Sequence, residues 1–369
     1  MNSENFISKE DVIGKAPTIF AKLTESVFEA KATTYSEELA GFLSEREIKQ
    51  IFPVKDNKKV LNAYYIVTYE GGGFAIIGAD ERIPEILAFS EDSDFPFESE
   101  EITLDMENKE IPLGLHFWLN DMKTAVSLLR TKNINIFMDG DNTVEIYSGG
   151  GLPGSYPNED YPFGYMLTTK WGQKNGYNQY IPLCSSGSQQ ASAGCGPVAL
   201  AQIMKYWEYP PVTFNWANMA GTYATTATAT LLSDIYDATN SYSDPSDNCA
   251  TLTVQNQMYY ALNNYGYYNS NWFHPFNITT AKNEISSDRP VLLFASVEGN
   301  SGAAHYWVTD GQFSLVMIDL NNQANSQEHY YFHMNWGWYG DYNGWYKSNV
   351  SSPEYRREKK YGKDLLEVI

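Results

Sequence analysis

Runs of regularly spaced hydrophobic residues predict the elements of the first part of the chain. Residues 62–70 (NAYYIVTYE) and 72–80 (GGFAIIGAD) are apolar runs joined by the glycines at 71–73, and this pattern predicts a β-hairpin. Residues 111–130 (IPLGLHFWLNDMKTAVSLLR) place apolar side chains at helical spacing and predict an amphipathic helix. Residues 37–52 (EELAGFLSEREIKQIF) show the same spacing, so a helix is expected there too.

The second part of the chain has one clear helix followed by several short strands. The segment 195–210 (CGPVALAQIMKYWEYP) predicts a helix that begins at Cys195 and ends before Pro210. Strands are predicted from four apolar segments, which are 290–297, 305–311, 313–319 and 329–336. This order of elements favours an α+β domain. Between the two parts, residues 148–162 (SGGGLPGSYPNEDYP) are rich in glycine and proline, as is typical of an exposed linker.

Composition and charge limit the classes of function. A chain of 369 residues is comfortable for two domains. Hydrophobic residues make up 43% and charged residues 19%, so a packed core is expected. A net charge of −20 argues against binding to nucleic acid or to an anionic membrane. No apolar run is long enough to predict a membrane span. The N-terminus, MNSENFISKEDVIGK, lacks the apolar stretch of a signal peptide, which indicates either a cytosolic protein or a signal segment missing from this sequence.

Cys195 is the candidate nucleophile among three cysteines, the others being Cys184 and Cys249. An odd number predicts no disulfide framework, and the spacing fits no zinc site, so one reactive thiol and two bystanders are expected. Cys195 lies where a glycine-flanked loop enters an apolar helix. The unpaired N–H groups and the positive dipole at a helix N-terminus stabilise a thiolate. The alternative is a buried cysteine packed as a small hydrophobe.

His305 is the candidate base for this thiol. It lies at the predicted start of a strand after the loop 299–304 (GNSGAA), where an imidazole can face a cleft. The alternative is a hydrogen-bonded structural histidine at a strand end. His329 and His333 are four residues apart on one face of a predicted strand and could form a metal pair, but no third ligand accompanies them. The remaining two histidines, His116 and His274, are expected to be structural, and no metal or cofactor is expected.

Two further segments carry amide side chains that a thiol site needs. In NWGWYGDYNGWY (335–346), Asn335 could accept the second ring N–H of a histidine, with Trp336 or Trp338 shielding that contact from water. In TKWGQKNGYNQYIP (169–182), Gln173 could donate a hydrogen bond to an oxyanion. The alternative for residues 335–346 is an aromatic turn packed in a core. The alternative for Gln173 is a glutamine in a surface loop.

In their order along the chain and in their residue sequences, these segments resemble the streptopain family of papain-like cysteine proteases. The similar segments are WGQKNGYN (171–178), AGC (193–195), AQIMKYWEYP (201–210), RPVL (289–292), HYWVTDG (305–311) and FHMNWGW (332–338). In the first part of the chain, GGFAIIGADERIPEILAFSEDSDF and the segment from Ile111 to Leu119 look like the propeptide of that family. The resemblance therefore covers most of the chain.

The resemblance implies a role for each matching residue. Cys195 would attack the scissile carbonyl, and His305 would hold the proton and pass it to the leaving amine. Gln173 and the backbone N–H of Cys195 would form the oxyanion hole. Asn335 and Trp336 would orient and support the imidazole.

The resemblance also implies residues that line the substrate cleft, which are Gly194, Ala304 and Trp338. Ala304 stands where a glycine is common in the family, so the specificity of this chain is expected to differ. Similar enzymes prefer an apolar residue two positions before the cleaved bond, and the same preference is expected here.

At the level of domains, the resemblance implies an α+β papain-like catalytic domain, with a central helix that bears the cysteine and an antiparallel sheet or barrel. A smaller α+β propeptide domain would precede it. The expected boundaries are 1–147 for an inhibitory and folding propeptide, 148–165 for a linker and processing region, and 166–369 for the catalytic domain.

The implied function is that of a secreted or extracytoplasmic cysteine endopeptidase zymogen. Its partners would be protein or peptide substrates and its own propeptide, which would act as an intramolecular inhibitor. Two alternatives stay open. One is a catalytically silent binder or inhibitor with the same fold, and the other is a Cys/His amidase or transglutaminase.

Overall fold

A computed structural model describes residues 5–19, 45–97, 111–132, 142–145, 164–184, 189–244, 249–270, 272–297, 300–319, 327–348 and 361–367. The first part of the described chain contains α1 (Lys9–Lys15), β1 (Ile48–Lys55), β2 (Asn62–Tyr69), β3 (Phe74–Gly78), β4 (Ile86–Ser90) and α2 (Leu113–Lys132). The predicted hairpin is confirmed as β2 and β3, and the predicted amphipathic helix is confirmed as α2. None of the described helices is long and apolar enough to cross a membrane.

The second part of the described chain carries the remaining elements. They are β5 (Asn142–Glu145), α3 (Cys195–Trp207), α4 (Thr226–Ala238), β6 (Tyr242–Asp244), β7 (Ala250–Leu252), α5 (Gln255–Asn264), β8 (His274–Pro275), α6 (Ile278–Ile285), β9 (Val291–Val297), β10 (Asn300–Asp319), β11 (Gln327–Asn335), β12 (Gly344–Lys347) and β13 (Tyr361–Glu367). The predicted helix at Cys195 is confirmed as α3. The two short strands predicted over 305–311 and 313–319 form one long strand, β10.

The helix predicted over residues 37–52 is wrong in its second half. Residues from Ile48 onward form strand β1, while 37–44 lie outside the described residues. Ile51 pairs with Val67 and Phe52 with Ile66 across the antiparallel β1–β2 ladder. These hydrogen bonds to a distant segment override the helical spacing, which local sequence alone favours.

The two parts of the chain share one antiparallel sheet. Its described strands follow the order β1-β2-β3-β4-β12-β11-β10-β9-β13-β8, with β5 paired to β10. The junction lies between β4 and β12, where Phe89 pairs with Trp345 and Ala88 with Tyr346. Backbone hydrogen bonds therefore connect the first part of the chain directly to the second.

Hydrophobic residues cover both faces of this sheet. In β2, Tyr64 and Ile66 belong to one core cluster and Tyr65 and Val67 to another, as the alternation of side chains along a strand requires. The first cluster contains the buried residues of α2 and α3, and the second contains Val12 of α1. Helices α2 and α3 thus pack on the same face, which brings the first part of the chain close to Cys195.

A disulfide joins Cys184 to Cys249, and Cys195 is the free cysteine. The expectation of two bystander thiols is therefore wrong. The two cysteines are 65 positions apart in sequence, and folding brings their Cα atoms to 5.7 Å. Next to the bridge, Ser192 donates its N–H to the carbonyl oxygen of Cys249 at 3.2 Å, and its Oγ accepts the N–H of Thr251 at 3.1 Å. The bridge thus ties the segment that leads into Cys195 to strand β7.

Candidate active site

Cys195 is the first residue of helix α3, and Gly194 caps the helix. Gly194 has a φ of 90°, a left-handed conformation that favours glycine. A Cβ at this position would also lie 2.7 Å from Cγ2 of Thr251. Both constraints require glycine here, so Gly194 holds the turn that places Cys195 at the positive end of the helix dipole.

The thiol of Cys195 is half-buried and surrounded by backbone donors. Burial raises its pKa, and this effect is opposed by hydrogen bonds from the backbone N–H groups of Tyr306, Gly196 and Cys195 itself. Because Tyr306 directly follows His305 in β10, this contact places the thiol next to the backbone of the strand that carries the candidate base. The N–H groups of Gly196 and Cys195 belong to the first turn of α3, as the sequence predicts for a stabilised thiolate.

The imidazole of His305 is almost fully buried, with 3% of its surface exposed. Its Nε2 lies 3.1 Å from the carbonyl oxygen of Trp336. A carbonyl oxygen only accepts hydrogen bonds, so Nε2 carries the hydrogen and the lone pair of the neutral ring lies on Nδ1. Burial lowers the pKa of His305 from its ordinary value of 6.5 to about 4, and the hydrogen bond to Trp336 partly opposes this shift. The imidazole is therefore neutral at neutral pH and able to accept a proton on Nδ1.

Asn335 does not orient His305 through its side chain, contrary to the role implied by the resemblance. Its Oδ1 accepts the N–H of Gly337 at 3.2 Å, and its Nδ2 donates to the carbonyl oxygen of Thr169 at 2.8 Å. The ring of His305 is held instead by the backbone of the next residue, Trp336. Asn335 fixes this backbone indirectly, by anchoring the turn that follows β11.

Gln202 is a residue of the site that sequence reasoning missed. It lies two turns after Cys195 in α3 and is fully buried. Its Oε1 accepts the N–H of Trp171 at 3.3 Å, and its Nε2 donates to Oδ1 of Asn335 at 3.2 Å. One buried amide thus connects the helix of Cys195, the segment of Gln173 and the turn that holds His305. A signal was available, because residues i and i+7 share one face of a helix and a glutamine on an apolar face needs partners.

The segment of Gln173 lies against the entry to α3. The carbonyl oxygen of Gln173 accepts the N–H of Ala193 at 2.8 Å, two residues before Cys195. On its other side, Tyr339 donates its N–H to the carbonyl oxygen of Trp171 at 3.1 Å, and its hydroxyl accepts the N–H of Lys174 at 2.7 Å. The structure therefore places the backbone of Gln173, which is half-buried, against the segment that leads into Cys195.

The aromatic residues predicted near the site surround the imidazole. Trp336 is buried and donates its indole N–H to the carbonyl oxygen of Tyr342 at 3.0 Å. The half-buried ring of Trp338 lies 6.4 Å from the ring of His305, centroid to centroid. Ala304 precedes His305 in β10 and is also half-buried. Trp336 therefore supports the site from within, while Trp338 and Ala304 lie at its border.

Helix α2, from the first part of the chain, covers one side of the imidazole. A Cβ built on Gly114 would lie 2.9 Å from Cδ2 of His305, 2.9 Å from Cζ3 of Trp336 and 3.0 Å from Cε3 of Trp307. Real Cβ atoms need about 3.5 Å or more, so glycine is what allows the helix to approach this closely. The burial that lowers the pKa of His305 is thus partly a consequence of α2.

The other histidines lie apart from this constellation. His333 shares a 2.6 Å contact between its Nδ1 and Oδ1 of Asp310, and the ring of Tyr165 stacks on it at 3.9 Å. No cluster of three metal-ligating side chains occurs in the described residues, so nothing there extends His329 and His333 into a metal site. His116 is buried in α2 and in contact with Asn120.

Two family models match this chain. The Peptidase C10 family matches residues 171–213 and 211–346, which include Gln173, Cys195, His305 and Asn335. The Spi protease inhibitor family matches residues 28–126, which include Gly114 of α2. The two matches lie on separate parts of the chain, the inhibitor family before residue 127 and the peptidase family after residue 170.

Individual relatives and a solved structure agree with these matches. Streptopain of Streptococcus pyogenes is 22% identical over 336 residues, covering 78% of this chain and 74% of that protein. The thiol protease/hemagglutinin PrtT of Porphyromonas gingivalis is 23% identical over 326 residues, covering 77% of this chain and 33% of that protein. A cysteine-to-alanine mutant fragment of prointerpain A from Prevotella intermedia has a TM-score of 0.58 at 22% identity, covering 87% of this chain and 98% of that one. The expected α+β papain-like domain, preceded by a smaller α+β domain, is thereby confirmed.

Proposed function

Since this chain belongs to the peptidase C10 family, we propose that it is the latent precursor of a cysteine endopeptidase, with Cys195 as the nucleophile and His305 as its base. The main support is one geometric observation. The thiol lies at a helix N-terminus and contacts the backbone N–H of Tyr306, the residue after His305, while Nε2–H of the His305 imidazole donates to the carbonyl oxygen of Trp336. A neutral imidazole in this tautomer has its lone pair on Nδ1, as a general base requires.

In the proposed reaction, Nδ1 of His305 takes the proton of the Cys195 thiol, and the thiolate attacks the carbonyl carbon of a peptide bond. The oxyanion accepts hydrogen bonds from the Cys195 N–H and from the side-chain amide of Gln173. His305 then gives its proton to the departing amine, which leaves an acyl-enzyme. Water, deprotonated by the same imidazole, hydrolyses the thioester and restores the thiol.

The precursor is proposed to be latent because α2 occupies the space beside His305. We assign residues 1–147 to the inhibitory domain, 148–165 to the processing region and 166–369 to the enzyme. Removal of α2 would expose the imidazole to water and raise its pKa from about 4 towards the ordinary 6.5. A thiolate–imidazolium pair would then form more readily. Activation would thus change the protonation of the site as well as its accessibility.

The Cys184–Cys249 disulfide supports an extracytoplasmic location, because structural disulfides form and persist in oxidising compartments. The substrates proposed are proteins and peptides, and the partner in the latent state is the inhibitory domain of the same chain.

The test is to purify the full-length chain, allow it to mature, and measure cleavage of fluorogenic peptides together with titration by an epoxide thiol inhibitor. Cys195→Ala and His305→Ala are expected to lose peptide cleavage by at least about a thousandfold. His274→Ala serves as the matched histidine control and is expected to retain it. Mature protein that keeps Cys195 intact but neither cleaves peptides nor reacts with the epoxide would overturn the proposal in favour of a silent binder. Cross-linking of an amine donor without hydrolysis would indicate a transglutaminase.

A further inference from the structure

Trp118 lies one helical turn after Gly114 in α2 and inserts its indole into the second part of the chain. Its Nε1 donates to the carbonyl oxygen of Lys347 at 3.0 Å. Its ring meets the ring of Tyr346 edge to face at 5.0 Å, and only 5% of the residue is exposed. Trp118 therefore forms both apolar contacts and one directional hydrogen bond with its surroundings.

The indole of Trp118 forms one wall of a pocket whose other walls belong mainly to the proposed enzyme domain. These walls include Leu293, Phe294, Trp307, Met334, Trp336 and Lys347. The cavity beside the indole has a volume of only about 40 Å³, so Trp118 leaves little of this space unfilled. Apart from the lysine, the other five of these side chains are apolar, so the walls suit a hydrophobic group. When α2 leaves, the space of Trp118 is added to it.

The position of this pocket relative to His305 decides which part of a substrate can reach it. Trp307 and Trp336 line the pocket and also flank the site where Gly114 approaches the imidazole. In the proposed reaction, His305 protonates the departing amine, so the residues that follow the scissile bond lie on the imidazole side of the cleft. The pocket therefore belongs to the leaving-group side of the substrate.

We propose that, once α2 is removed, the place vacated by Trp118 is a substrate subsite for a bulky apolar side chain, preferably an aromatic one, at the first or second residue after the scissile bond. The proposal rests on the proposed function. The four residues from Gly114 to Trp118 rise by about 6 Å along the helix, which an extended peptide covers in about two residues. The carbonyl oxygen of Lys347 offers an acceptor that the indole of tryptophan can use and phenylalanine cannot.

The expected selectivity follows from burial. A large apolar side chain buries several more methylene-sized groups than alanine does. Each such group that moves from water into an apolar pocket strengthens binding by about a factor of four. We therefore expect kcat/KM for tryptophan at the favoured position to exceed that for alanine by at least about tenfold, with phenylalanine between them.

The test uses the mature wild-type enzyme and internally quenched peptides with a constant sequence before the scissile bond. The first and second residues after this bond are varied among Trp, Phe, Leu, Ala and Asp. A reporter whose small fluorophore directly follows the scissile bond measures chemistry without the subsite. Leu293→Trp, which fills the pocket, is expected to reduce the Trp-to-Ala ratio to near one. Tyr268→Ala, an exposed aromatic residue outside the pocket, is the matched control and should keep the wild-type ratio.

Equal kcat/KM values, within about threefold, for Trp and Ala at both positions of the wild-type substrate set would overturn the subsite, even if Leu293→Trp failed to fold. In that case, continued cleavage of the small reporter would leave the protease function standing. Absence of cleavage of every substrate, reporter included, would instead refute the protease function and the subsite with it.

Discussion

The contact between Gly114 and the imidazole allows a quantitative test of latency. In Gly114→Ala, one added methyl group would lie 2.9 to 3.0 Å from three ring atoms, on His305, Trp336 and Trp307. These rings are packed against one another and cannot bend away as a flexible chain end would. Overpacking of this kind costs about 1–3 kcal/mol. Alanine returns at most about 1 kcal/mol through its higher helix propensity.

Because the methyl group meets three rings at once, its cost lies in the upper half of that range, and after the helix gain α2 should dock about 1–2 kcal/mol more weakly, which is a factor of about 5–30 in the open population. The assay is the rate at which a small alkylating reagent modifies Cys195 in the full-length chain, before any cleavage. This rate should rise by about the same factor. Gly14→Ala is the matched control, because a Cβ at Gly14 meets nothing within 4 Å. Alkylation of Gly114→Ala at the rate of Gly14→Ala would refute the inference that α2 covers the site through this contact.

Three further predictions concern the supports of the site. Gln202→Leu leaves the N–H of Trp171 unpaired in the core, at about 1–3 kcal/mol, and removes one of the two donors to Oδ1 of Asn335, so kcat should fall at least tenfold, whereas the half-buried control Gln257→Leu should keep wild-type kcat. Because burial lowers the pKa of His305 to about 4, this residue binds more protons in the unfolded chain between pH 4 and 6.5, and its contribution to the stability of the precursor should fall by up to about 1.4 kcal/mol per pH unit as the pH falls through this range. Urea unfolding at pH 7.5 and pH 5 measures this loss, and His305→Gln should lack part of it. Replacing both Cys184 and Cys249 by alanine opens a loop of 65 residues and should cost about 4 kcal/mol in urea unfolding, while an unchanged midpoint would contradict a structural role.

Local patterns predicted the elements that carry the chemistry. Helix α3 was foreseeable because apolar spacing, a glycine before Cys195 and prolines after it agree with one another. Strand β1 was not, because its spacing also fits a helix and its partner β2 decides the outcome. The disulfide was missed for a related reason: the proximity of Cys184 and Cys249 exists only in three dimensions.

The site itself shows the same division. Cys195 carries a nucleophilic thiol and His305 a basic imidazole, so the residue types alone identified both as candidates. The group that holds the imidazole is the carbonyl oxygen of Trp336, and a backbone carbonyl has no signature in the sequence. Asn335 was therefore assigned a contact that its neighbour makes. Gln202 was missed because its structural role depends on hydrogen bonds to two residues that lie on different segments of the chain.

The shared sheet has a consequence for the timing of maturation. Cutting the linker breaks a peptide bond, but it breaks none of the hydrogen bonds between β4 and β12, where Phe89 pairs with Trp345 and Ala88 with Tyr346. A nicked chain would therefore remain a two-piece complex, still closed over Cys195, until the two strands separate and water replaces their mutual bonds. The onset of activity would follow the dissociation rate of this complex, and a band of cleaved but inactive protein would precede it on a gel.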